Sequence, residues 1–157
     1  MDSLLHTPEG VRDIYNEECS KKNALSAKLD RILKLYGYKD IQTPTFEFFD
    51  IFNRERGSVP SRNMYKFIDR DGSTLVLRPD ITPSIARAVA KYFKEETIPL
   101  RFSYCGNTFI NNSSLQGKMK ETTQLGAELI GDRDIEGDAE VVAPGGPAAQ
   151  VGGGHGG

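Results

Sequence analysis

The chain has no tryptophan, only two cysteines and two histidines among its 157 residues, and no apolar run long enough to cross a bilayer. Each shortage excludes something. Cys19 and Cys105 stand far apart and form no Cys-x-x-Cys pair, so neither a disulfide framework nor the ligand spacing of a structural zinc site is present. They read as reduced packing cysteines. The opening residues MDSLLHTPEG lack the basic-then-apolar order of a secretory signal, so the expectation is a cytoplasmic chain with no membrane partner. Neither sign of charge is in excess: 20 Lys and Arg stand against 22 Asp and Glu, a formal net charge of −2. That balance argues against a broad nucleic-acid footprint.

The length suits one domain, able to bury roughly two-thirds of its unfolded surface. Glycine is concentrated at the end, where PGGPAAQVGGGHGG begins at Pro144. Such a segment buries too little apolar surface to offset its ordering entropy, so residues 143–157 are expected to be disordered or foreign to the natural chain. Gly152, Gly154 and Gly157 match G-x-G-x-x-G, but no strand leads into them and no helix follows, as a dinucleotide loop requires. Residues 1–142 are expected to be the N-terminal part of a larger core domain.

Periodicity supplies the elements. Leu25, Leu29, Ile32, Leu33 and Tyr36 recur at helical spacing within residues 15–36, and Gly37 offers a left-handed stop. KDIQTPTFEFF is rich in β-formers, but Pro44 cannot donate to a ladder and should lie at an edge, a bulge or an interface. MYKFI and STLVLR flank Asp69-Arg70-Asp71-Gly72, a hairpin signal. Thr82-Pro83 reads as a helix start with Thr82 as cap, followed by the stripe Ile85, Val89, Phe93. Strands are expected over 100–110 and 120–130. Hairpin-linked strands interrupted by helices imply an α+β domain built on an antiparallel sheet.

The last strand carries the most chemistry. Alternation puts Thr122, Gln124, Gly126, Glu128 and Ile130 on one face and Thr123, Leu125, Ala127 and Leu129 on the other. Gln124 and Glu128 then lie about 13 Å apart along the strand and frame an open floor at Gly126. A small zwitterion or an imidazole fits such a gap, the amide both donating and accepting and the carboxylate accepting. A solvated sheet face is the alternative.

TPEGVRDIY, LRPDIT and TQLGAELIG together resemble the histidyl-tRNA synthetase catalytic core. They are closer to its non-aminoacylating relatives, the regulatory subunits of ATP phosphoribosyltransferase, over approximately residues 6–142. The resemblance implies a partial class II synthetase-like antiparallel sheet flanked by helices, with Pro44 at a dimer interface. It implies histidine contacts at Asp80, Thr82, Gln124 and Glu128, with Asp80 one methylene shorter than the glutamate typical of synthetases. Where a synthetase of this family carries Arg-x-Glu, this chain reads Ile110-Asn111-Asn112. An isoleucine cannot replace an arginine's bidentate grip on phosphate, so Ile110 and Asn112 mark a degenerate ATP motif. The resemblance therefore implies a non-catalytic regulatory subunit without cofactor or metal. Histidine would be its effector, and its partners would be a second copy of itself and the short-form catalytic subunit. A divergent synthetase fragment and a scaffold domain with a vestigial pocket are the alternatives. Strands missing beyond Val142 are expected to leave an open sheet edge and a tendency to associate.

Overall fold

A computed structural model of the chain describes residues 2–53, 59–113, 117–131 and 149–151. Helix α1, Asn16–Leu35, ends as Gly37 takes φ +81°. The Gly37 amide donates to the Lys34 carbonyl and the Tyr38 amide to that of Leu33, a Schellman closure in which only glycine is unstrained. The sequence stripe on α1 is only partly covered: Leu33 is buried, Leu29 half-buried, and Leu25 and Tyr36 are exposed.

The β-rich run after α1 divides at Pro44 into β1, Lys39–Asp40, and β2, Phe46–Phe48. Short helix α2, Phe49–Asn53, follows. The expected hairpin forms as β3, Lys66–Ile68, and β4, Thr74–Leu77, with Gly72 at φ +81° in the turn. Helix α3 spans Thr82–Tyr92. Strands β5, Leu100–Phe109, and β6, Glu121–Ile130, pair antiparallel along their whole length, from Leu100↔Ile130 to Phe109↔Glu121.

The expected α+β architecture, dominated by antiparallel pairing, is present, and its strands fall into two sheets. One has the order β1-β5-β6-β7 and the other β2-β4-β3. All pairings are antiparallel except that of β1 with β5, which is parallel. The chain leaves the first sheet after the Ile41 amide bonds Ser103 and joins the second at Phe46, with Pro44, which has no N–H to give a ladder, in the crossing segment. The expectation for the glycine-rich tail falls mostly outside the described residues. Ala149–Val151 departs from it by forming β7 against Thr123–Leu125 of β6, where the unpaired backbone groups of an edge accept another strand.

The long β5–β6 ribbon has a helix on each side. Leu125 packs with Leu33 and Tyr38 toward α1, with Leu29 and Ala127 beside them. On the opposite face Ile81 and Ile85 pack on Phe102 and Tyr104, joined by Val89, Phe93 and Ile130. Fully burying such a side chain contributes about 1.5–3 kcal/mol, so α3 is held to the ribbon mainly by this cluster. A third cluster, Phe52, Met64 and Val76, fills the second sheet. Arg87 ties α3 to that sheet by donating from Nε and Nη2 to Oε1 of buried Glu47, at 3.0 and 2.8 Å. Among the described residues no helix is long and apolar enough to cross a membrane.

Candidate functional site

The helix start supplies the first half of the site. Asp80 precedes α3, and its Oδ1 accepts from the backbone amides of Ile81 and Thr82 at 2.7 and 3.4 Å. Asp80, not Thr82, therefore takes the two backbone donors at the entry to the helix, whose N-cap position is Ile81. Thr82 is left free for another contact. Its hydroxyl donates to Oε1 of Glu128 at 2.5 Å, joining the start of α3 to β6.

The structure brings Asp80, Thr82 and Glu128 together, and the Thr82 hydroxyl, expected to cap the helix, instead contacts Glu128. Gln124 lies on the same strand face as Glu128, opposite Gly106. Among the described residues no hydrogen bond links its side chain to the other three.

The floor between Gln124 and Glu128 is not open. Tyr104 faces Gly126 across the ribbon, and its ring lies over the glycine: a Cβ at 126 would meet the phenol oxygen at 2.6 Å and Cζ at 2.7 Å. Directly paired residues share a face, so a bulky residue opposite a glycine fills the glycine's space. Tyr104 is 7% exposed. Burial, then the charge of Glu128, pushes its phenol up to about 12. Glu128 is also raised above the usual carboxylate range, first by burial and further by the charge of Asp80, while the Thr82 hydrogen bond opposes the shift. The cluster is acidic and rich in acceptors.

One turn of chain earlier, the guanidinium of Arg78 lies against Gly106. Its Nε donates to the Asn107 carbonyl at 2.7 Å, and Nη1 to the carbonyls of Thr43 and Pro44 at 3.0 and 3.3 Å. The Arg78 carbonyl in turn accepts from the Phe109 amide at 3.0 Å. Arg78 therefore fixes the Asp80 segment against β5 and spans the gap left where β1 stops. Burial lowers its pKa, opposed by the charge of Glu47. A cavity of about 410 Å3 adjoins the cluster, walled by Arg78, Ile81, Tyr104, Gly106 and neighbouring residues. Asp80, Thr82, Gln124 and Glu128 are not among its walls, so the four residues lie beside this space and not around it.

At the far end of β5, Ile110 and Asn112 are half-buried. The Ile110 amide donates to the Lys120 carbonyl at 2.9 Å, and those of Asn111 and Asn112 to the carbonyls of Asn63 and Ile110 at 2.8 and 2.9 Å. The backbone holds a strand-end geometry there, and none of these side chains carries a positive charge. Pro44 is exposed. No group of His, Cys, Asp and Glu suited to a metal ion occurs among the described residues.

Residues 10–144 match the family model described as histidyl-tRNA synthetase. The chain belongs to the histidyl-tRNA synthetase family. Within it, the chain is 45% identical over 139 residues to an ATP phosphoribosyltransferase regulatory subunit of Acetivibrio thermocellus, covering 88% of this chain and 33% of that one. A Clostridium novyi protein of the same description is 45% identical over 143 residues, covering 90% and 34%. Among solved structures, an ATP phosphoribosyltransferase regulatory subunit/histidyl-tRNA synthetase from Bacillus halodurans superposes with a TM-score of 0.81 at 37% identity, covering 90% of this chain and 36% of that one. The apo S. aureus histidyl-tRNA synthetase gives 0.73 at 31%, covering 88% and 32%. The family's class II synthetase-like fold is therefore present in part, and the chain spans about a third of the length of the relatives it matches.

Proposed function

We propose that this chain is the N-terminal part, over residues 1–142, of a regulatory subunit of ATP phosphoribosyltransferase, acting in the first step of histidine biosynthesis in the cytoplasm. It has no catalytic activity of its own and needs no cofactor. A short-form catalytic subunit performs the reaction, and histidine is the effector, taken at Asp80, Thr82, Gln124 and Glu128. One combination of features carries this reading: the acidic cluster of Asp80, Thr82 and Glu128 is kept while Ile110 and Asn112 stand where adenylation needs a cation. Loss of one preorganised electrostatic contact costs on the order of 10²-fold or more in rate. The 45% identity to regulatory subunits supports the same reading.

Self-association belongs to the proposal. Phe46 and Phe48 of β2 flank the same sheet face as Phe67 of β3, through their register with Leu75 and Leu77. They remain 52%, 57% and 39% exposed, and Phe46 and Phe67 pack edge to face at 5.7 Å. An exposed aromatic sheet face next to Pro44 fits a contact between two copies.

Histidine bears on the partner only to the extent that it binds two states of the assembly unequally. The test adds the protein to the catalytic subunit and follows ATP phosphoribosyltransferase activity with and without histidine, alongside histidine-dependent exchange of pyrophosphate into ATP by the protein alone. Activation, inhibition by histidine and no exchange are expected. Clear exchange would move the chain to the aminoacylating branch of its family.

A further inference from the structure

Helix α3 has a second working side. Its inner side, with Ile85 and Val89, packs on Phe102 and Tyr104 of the ribbon. Elsewhere on its surface α3 borders an open groove of about 590 Å3 shared with α2. Ile51, Pro83 and Ala90 give the groove apolar lining, and Arg87, Lys91, Lys94 and Asp50 complete it. From Pro83 to Lys91 it follows the helix for about 12 Å, the length of two turns.

The charges on this groove are unequal. Arg87 is already committed, its Nε and Nη2 donating to Oε1 of Glu47. Lys91 and Lys94 are exposed, and among the described residues neither has an ion-pair partner. The Lys91 ammonium lies only over the ring of Tyr92, 5.0 Å from its centroid. Asp50 is the one acidic residue of the lining. With Arg87 neutralised by Glu47, the groove keeps a net positive charge in a chain whose formal net charge is −2. An apolar strip edged by free ammonium groups fits a polypeptide segment that presents apolar side chains flanked by carboxylates. The apolar contacts hold such a segment, and the rim charges steer it and set its register.

We propose that the groove between α2 and α3 is the docking site for an acidic, apolar-centred segment of the catalytic subunit. The proposal rests on the regulatory-subunit reading above and adds to it the surface by which the partner is engaged. It also gives the effector a short route. Asp80 and Thr82 at the start of α3 belong to the proposed histidine site, and the same helix forms one wall of the groove. Any coupling between the two is reciprocal: the factor by which histidine changes the affinity for the partner is the factor by which the partner changes the affinity for histidine.

The test titrates the protein into a fixed amount of the short-form catalytic subunit, at low and at high salt, and reads the concentration that gives half-maximal activation. Wild type is compared with Lys91→Glu/Lys94→Glu and with Ala90→Phe, which fills the groove without changing its charge. Wild type should need more protein as salt screens the rim. The charge-reversed variant should need about tenfold more than wild type at low salt, with the gap closing at high salt. Ala90→Phe should need about tenfold more at both. All should bind histidine alike by calorimetry, since none of these side chains belongs to its site. Should the reversal disturb the fold, Lys91→Gln/Lys94→Gln serves, with a smaller shift in the same direction. Half-maximal activation at the wild-type concentration in both variants overturns the docking site and leaves the regulatory reading standing. Absence of activation by wild type at any concentration overturns both. A wild type indifferent to salt overturns the acidic character of the docked segment, and loss of self-association by either variant in sedimentation velocity assigns the groove to a second copy instead.

Discussion

Gly106→Ala is the sharpest perturbation of the frame on which the site stands. The new methyl would collide with the Arg78 guanidinium, with Ile81 Cδ1 at 3.4 Å behind it. Arg78 cannot move and keep its bonds to Asn107 and Thr43, at 2.7 and 3.0 Å. Hydrogen bonds to a charged group are each worth about 1.5–3 kcal/mol. Losing both sums to about 3–6 kcal/mol, and partial relaxation of a long side chain toward solvent brings the expected cost to about 3 kcal/mol. For a domain of this size that corresponds to a fall in melting temperature of about 6–12 °C. Gly72→Ala is the matched control. Nothing lies within 4 Å of its Cβ, but its φ is +81°, so the cost is the left-handed penalty alone, about 1–2 kcal/mol. Urea titrations followed by circular dichroism read both. Gly106→Ala should have the lower midpoint at an unchanged slope. A midpoint at or above that of Gly72→Ala would refute the clamp assigned to Arg78.

Glu128 gives a pH signature. A carboxyl held above its ordinary value of 4.5 by burial binds its proton more tightly in the folded state than in the unfolded chain. Its contribution is therefore greatest below 4.5 and is lost as pH rises from there through the raised value. Glu128→Gln should remove that decline, so variant and wild type diverge across this window in favour of the variant; parallel stability profiles would refute it. On the second sheet, Phe48→Glu places a charge on the exposed aromatic face and should shift sedimentation velocity from dimer to monomer while leaving the circular dichroism spectrum unchanged. A wild type that sediments as a monomer at tens of micromolar would remove the basis for the proposed dimer.

Much of the fold was legible because local chemistry decided it. Gly37 and the stripe ending at Tyr36 set the end of α1, Asp69 to Gly72 set the hairpin, and the β5 and β6 limits lie within a residue of expectation. The two faces of β6 were also readable, since period-two alternation is a property of a strand whatever it pairs with. Their coverage was not. The face of Gln124 and Glu128 looked like an open floor because a strand pattern contains no register, and a slip of one residue would have put Tyr104 on the other side.

The sequence by itself determined which groups are available: acceptors at Asp80, Thr82 and Glu128, no cation from Ile110 to Asn112, and no N–H at Pro44. Only tertiary structure decided how they are used. The pairing of Tyr104 with Gly126 fills the floor, and that of Gly106 with Gln124 leaves room beside β5 for Arg78. The amides at the entry to α3 go to Asp80, and the Thr82 hydroxyl goes to a carboxylate 46 residues away. Each is a contact between distant segments, fixed by packing and hydrogen-bond satisfaction that no local window of sequence contains.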